Sequence, residues 1–337
     1  QRVMETLEQF CPDLELYSID EAFLSLSGFM SRNLLDYGQT IRRMVQQWTG
    51  IPVSIGIAET KTLSKLANRI AKRTPDTGGV FDLTACPDRD RLLSRIPVED
   101  VWGIGSNHAR TLTNQGITTA LHLRGADHQW IRTHLGIVGV RLVEELHGRS
   151  CLPLEECPPP KQSITCSRTF GTPISTIVEM EEAISVYVSR AAEKLRREGL
   201  ATHLTIFLTT NPFKAGPQYS NALTRKLPVA TDSTPELIRL ALHSLQRMYR
   251  EGYEYKKAGV LLTGLIPMSQ IQADLFDQHD RVRSKRLMTA LDGINDRWGA
   301  GTVRYAATGL HRAWTTQFHR RSPAYTTHWD ELPIAMA

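Results

Sequence analysis

Apolar positions along the chain switch between two periods. Val3, Met4, Leu7 and Phe10 recur at helical spacing. Leu14-Glu15-Leu16-Tyr17-Ser18-Ile19 then reads as a strand and Ala22–Leu26 as its return. A helix around Leu34–Trp48, a third strand at Ser54–Ala58 and a helix from Thr62 to Arg73 complete an α/β layer predicted over residues 1–85. Over residues 86–156 the pattern breaks into short helices punctuated by glycine. Trp102-Gly103-Ile104-Gly105 is the clearest break, and Leu135–Gly139 reads as a turn before a helix through Leu146. Cys157-Pro158-Pro159-Pro160-Lys161 cannot continue a helix, so residues 157–162 are expected to be a stiff linker.

A second α+β unit is predicted over residues 163–266. Its strands lie near Ile164–Phe170, His203–Thr209, Tyr219–Leu227 and Ala258–Leu265, and its amphipathic helices around Met180–Arg197 and Pro235–Glu251. Alternation of Leu204, Ile206 and Leu208 marks one buried sheet face. From residue 267 to 337 polar spacing, scattered aromatics and two prolines, Pro323 and Pro333, predict a less compact tail.

With 337 residues, 41% of them hydrophobic, the chain is long enough for about two or three domains. Lysine and arginine total 40 against 35 acids, a net charge of +5, which permits an anionic partner without requiring one. The 5 cysteines are scattered and form no CxxC pair, so reduced thiols in the cytoplasm are expected. No apolar run approaches membrane-spanning length, and no membrane partner is expected. The chain starts at Gln1 and runs directly into a helical pattern, as a chain beginning inside a domain would.

Two adjacent carboxylates interrupt the first hairpin, in Tyr17-Ser18-Ile19-Asp20-Glu21-Ala22-Phe23. Neighbouring strand residues point to opposite faces, so both acids reach one cavity only if the chain turns there. Paired carboxylates repel unless a cation neutralises them, and oxygen ligands favour magnesium. An exposed acidic β-turn fits the same two residues. The string resembles the YSIDEAF signature of Y-family DNA polymerases, and that resemblance implies that Asp20 and Glu21 belong to a two-metal magnesium site for nucleotidyl transfer.

Further motifs follow in the family's order. SIGIAETKTLSKLANRIAK, from Ser54, places Lys61, Lys65, Arg69, Lys72 and Arg73 at helical spacings, either as a solvated face or as a functional basic stripe. By resemblance Lys72 approaches the triphosphate of the incoming deoxynucleotide. Val101–Gly105 resembles the thumb's helix-hairpin-helix turn, whose glycines, Gly103 and Gly105, let the backbone reach a DNA phosphate. Lys161–Phe170 resembles the strand that opens the little finger, which implies phosphate contacts for Arg168 and Lys161. Gln272, Leu275 and Phe276 resemble a peptide that binds the sliding clamp. Residues 286–333 resemble the C-terminal extension of UmuC-type members, which implies assembly with a UmuD′-like dimer and with RecA. Trp314, Tyr325 and Trp329 there serve equally well as interface anchors or in local packing.

The resemblance therefore implies an α+β multidomain polymerase. It comprises the C-terminal part of a palm (1–85), an all-helical thumb (86–156), a little finger (163–266) and the clamp peptide with its extension (267–337). Its implied function is error-prone synthesis across damaged primer-template DNA in the SOS response. Members of the family begin with a palm strand bearing another metal-binding aspartate, followed by the fingers. Neither is found in the sequence, so the chain is expected to be an N-terminally truncated polymerase that binds DNA and the clamp without polymerising. A non-catalytic DNA-binding module that recruits the clamp, or an assembly subunit acting through its tail, are the alternatives.

Overall fold

A computed structural model describes residues 1–29, 33–155, 157, 159–272, 274, 277, 279–310, 312–316, 321–325, 328–332 and 334. It divides into two compact units, Gln1–Pro158 and Pro159–Ala337.

The first unit opens with α1 (Arg2–Leu7) and an antiparallel hairpin of β1 (Leu14–Leu16) and β2 (Ala22–Leu24). Next come α2 (Leu34–Thr49), β3 (Ile55–Ile57), α3 (Lys61–Arg73) and β4 (Val80–Asp82), with β3 and β4 parallel. Asn33 caps α2 by accepting from the amides of Leu35 and Asp36, and Gly50 ends it in the left-handed region. Gly56 lets β3 lie directly on α3, because a Cβ there would sit 2.0 Å from the amide nitrogen of Asn68. The two pairs remain separate two-stranded sheets.

Four helices complete the unit: α4 (Arg89–Ser94), α5 (Ser106–Asn114), α6 (Ala120–Arg124) and α7 (His128–Leu146). The turn expected at Leu135–Gly139 is a break at one residue of α7, Gly136, whose φ of 72° and ψ of −167° are open to glycine. Leu63, Leu66 and Ala67 of α3 share one core with Leu112, Leu123, Ile131 and Leu146. Glu145 fastens that junction. Its side chain is 0% exposed and accepts from the amides of Thr62 at 3.0 Å, Cys151 at 2.7 Å and Leu152 at 3.2 Å. Glu145→Gln replaces one acceptor by an NH2 facing donors, and is expected to cost about 3 kcal/mol in urea denaturation.

The second unit holds β5 (Ser163–Ile174), α8 (Ile177–Leu195), β6 (Ala201–Thr210), β7 (Ser220–Thr231), α9 (Thr234–Met248) and β8 (Tyr255–Thr263). The strands form one antiparallel sheet in the order β5-β8-β6-β7. The alternation foreseen in β6 holds: Leu204, Ile206 and Leu208 are buried with α8 and α9 in one core. Burial raises the hydroxyl pKa values of Tyr187, Tyr249, Tyr255 and Tyr305 above the ordinary 10.0. The folded state keeps these protons while the unfolded chain releases them near 10, so stability is fully present below that pH and falls above it. Urea midpoints should therefore agree at about pH 7 and pH 8.5 and drop by about pH 10.5, and Tyr187→Phe should flatten the drop.

The tail departs from expectation. It contains the 18-residue helix α10 (Arg281–Trp298), fixed to the ends of α8 and α9 by side chains that no local pattern reveals. Arg196, which caps the C-terminus of α8, holds Asp292 through two bonds of 2.5 and 2.6 Å, and Arg281 bonds Glu236 of α9 at 3.1 Å. Trp314 is buried against Phe170 and Tyr187, with centroids at 5.9 and 6.0 Å. Trp329 is 87% and Tyr325 47% exposed.

Candidate active site and nucleic-acid interface

The acidic pair sits at a hairpin apex. Amides of Tyr17 and Ser18 both donate to the carbonyl of Glu21, at 3.1 and 3.0 Å, and Ile19 stands exposed at the tip. The turn brings Asp20 and Glu21 to the wall of one cleft of about 640 Å³. All of β2 and all of β3 line this cleft, whereas β1 and β4 do not. Val3, Met4 and Leu7 of α1 and Gly38 and Ile41 of α2 close its apolar side. The cleft thus lies between the unpaired edges of two sheets, each exposing about 10 Å of strand. In its wall, the side-chain oxygen of Asn68 is buried with no hydrogen-bond partner among the described residues.

The acids are already engaged. Ser18 donates to Asp20 at 2.7 Å, and Lys65 pairs with Glu21 at 2.7 Å. The Lys65 ammonium also lies 4.9 Å from the Tyr17 ring centroid and 5.6 Å from that of Phe23. Among the described residues no three of His, Cys, Asp or Glu are grouped to hold a metal. Asp20 and a Glu21 neutralised by lysine do not by themselves fit a magnesium ion, which needs several oxygens in near-octahedral array.

The stripe on α3 is largely paired. Lys61 bonds Glu15 and the carbonyl of Pro153, and Arg69 bonds Asp100. Lys72 and Arg73, at the end of the helix, are exposed and make no ion pair among the described residues. Lys72 lies two helical turns, about 10.5 Å, beyond Lys65.

At the predicted thumb turn Gly103 has φ 91°, and a Cβ there would approach Leu142 to 3.1 Å. Gly105 precedes α5 without a side-chain cap, and no acid occupies the first turn. The amides at that helix start are therefore open to an anion. Trp102 is tied back to the acidic hairpin by its indole N–H, which donates to the Tyr17 hydroxyl at 3.1 Å.

In the second unit the sheet face away from the helices carries Ser163, Thr165, Ser167 and Thr169 of β5, beside Lys257 of β8 and Lys226 of β7. No aspartate or glutamate stands on that face in any of the four strands. Sequence reasoning missed it, although period-two alternation from Cys166 would have found it. The same alternation moves Arg168, which pairs with Ala258 and shares the helix-side face of Ile164 and Cys166. Lys161 pairs with Glu198 at 2.5 Å. Gln272 is exposed; Leu275 and Phe276 lie outside the described residues.

Comparison with known proteins identifies the family. Residues 1–69 match the impB/mucB/samB family, residues 161–275 the C-terminal domain of that family, and residues 285–335 a domain of unknown function, DUF4113. Protein SamB of Salmonella typhimurium is 41% identical over 99% of this chain and 80% of its own length. The chain is a UmuC-type member of the Y-family DNA polymerases. Protein UmuC of Salmonella typhimurium is 42% identical over 98% of this polymerase chain and 80% of its own length. A Y-family DNA polymerase chimera of Dbh and Dpo4 superposes with a TM-score of 0.60 at 20% identity, covering 79% of this chain and 75% of the chimera. That likeness shows the shared Y-family fold. No helix among the described residues is long and apolar enough to cross a membrane.

Proposed function

We propose that this Y-family chain carries out template-directed nucleotidyl transfer past damaged DNA, within SOS mutagenesis, once a further β-strand fills the cleft between β2 and β3. The observation that carries this reading is the cleft itself. Two unpaired strand edges, an orphaned Asn68 oxygen and an acid pair at one end suit a strand that pairs on both sides and brings a third carboxylate. In that assembly Asp20 and Glu21 serve the magnesium-dependent centre, Lys72 binds the triphosphate, and Gly103 and Gly105 hold a DNA phosphate. The hydroxyl-bearing sheet face tracks the DNA backbone without reading sequence. Unassisted, the chain does not extend a primer.

Resemblance at Gln272–Phe276 supports a sliding clamp as partner, and resemblance of the tail supports a UmuD′-like dimer and RecA, in the cytoplasm at the nucleoid. The pairing of Glu21 with Lys65 favours a second reading, a DNA-binding module that recruits the clamp without chemistry. Primer extension by the chain, alone and joined to the missing strand, separates the two.

A further inference from the structure

Phe170, Tyr187 and Trp314 pack on one another, with Phe170 and Tyr187 centroids 6.5 Å apart and each about equally distant from Trp314. Each ring brings an arginine with it. Arg168 precedes Phe170 by two residues on the same face of β5, Arg190 lies one turn after Tyr187 on α8, and Arg312 precedes Trp314 by two. The extension is held in this place by main chain as well. The amide of Gly171 donates to the carbonyl of Trp314 at 3.1 Å, and Thr316 donates to the carbonyl of Thr169 at 3.1 Å.

None of Arg168, Arg190, Arg304 and Arg312 forms a salt bridge among the described residues. Arg168 donates to the carbonyl of Ser167 at 2.8 Å and Arg312 to that of Thr308 at 2.9 Å. Arg168, Arg190 and Arg304 are exposed. Burial lowers the pKa of Arg312, the charges of Arg304 and Arg190 lower it further, and Glu182 alone opposes them. Around Arg312 two arginines thus act against one glutamate, and Arg168 and Arg190 both act on Tyr187, so positive charge is in excess beside the ring cluster. Guanidinium groups suit phosphate through paired N–H donors.

We infer that the docked extension completes a phosphate-binding surface on the helix side of the little finger, in which Arg304 and Arg312 join Arg168 and Arg190 to hold a nucleic-acid backbone. This rests on the DNA-binding reading above and assigns to the C-terminal extension a share in gripping DNA.

The test uses the full chain and a fluorescein-labelled single-stranded oligonucleotide, with binding followed by anisotropy across a salt series. Arg304→Gln with Arg312→Gln should weaken binding about tenfold near physiological salt and lower the slope of log affinity against log salt by about 1.4, two phosphate contacts' worth. Lysine at both positions should restore most of the slope. Arg283→Gln with Arg286→Gln on α10, which removes the same charge elsewhere, should leave it unchanged. An unchanged slope in the Arg304/Arg312 variant, or an equal loss in the α10 control, overturns the inference while the wild-type chain still binds DNA. A wild-type chain that does not retain the oligonucleotide overturns the DNA-binding reading as well.

Discussion

Primer extension is expected to be absent for this chain in magnesium and to appear when a palm strand bearing an aspartate, with its fingers, is joined ahead of Gln1. The expectation follows from the cleft of about 640 Å³ and its walls. On the proposed reading, a strand entering there would pair with β2 and β3, whose residues line the cleft from two separate sheets, and would bring a further carboxylate toward Asp20. The same step alters the competition for Glu21, which Lys65 now neutralises. In the joined protein Asp20→Asn should lower kcat by about a thousandfold, equivalent to roughly 4 kcal/mol of transition-state stabilisation. DNA affinity should stay within about twofold, since the phosphate contacts proposed at Gly103–Gly105 and on the sheet face are untouched. Steady-state extension of a labelled primer measures the first quantity and anisotropy the second. Extension by the unjoined chain at the same magnesium concentration would sink the reading.

Trp314→Ala is expected to destabilise the second unit strongly, costing about 3–5 kcal/mol. The side chain is 4% exposed and touches two aromatic rings of the main core. Its loss leaves a large void and releases the main-chain bond to Gly171. The indole nitrogen is buried with no hydrogen-bond partner among the described residues, so Trp314→Phe should cost about half as much. Urea denaturation of both variants tests this. A cost below about 1 kcal/mol for alanine would mean that the extension does not depend on this anchor.

Where burial alternates cleanly, the sequence was sufficient to find the elements. Leu204, Ile206 and Leu208 gave β6, and the helix read from Thr62 to Arg73 is α3, with Leu63, Leu66 and Ala67 buried in its core. Helix α10 escaped because Met288 is its one fully buried residue among the described positions, and its attachment is by charge, through Arg196 and Arg281, rather than by an apolar stripe. The acidic hairpin was legible from two adjacent carboxylates in an apolar frame. The state of the site was not, because the residues that engage it are far away in sequence: Lys65 meets Glu21, Lys61 meets Glu15, and Trp102 meets Tyr17. Spacing puts lysines on a helix face but does not say which acids they meet. For Arg168 the information was present in its parity with Ile164 and Cys166.

The open edges of β2 and β3 also bear on how the molecule behaves in company. A bare strand edge accepts any extended polypeptide that reaches it, and here two such edges face one slot. A chain whose slot is unfilled should therefore associate more as its concentration rises. Filling the slot would remove a self-adhesive seam as well as complete a site, so solubility and catalytic competence should be gained together.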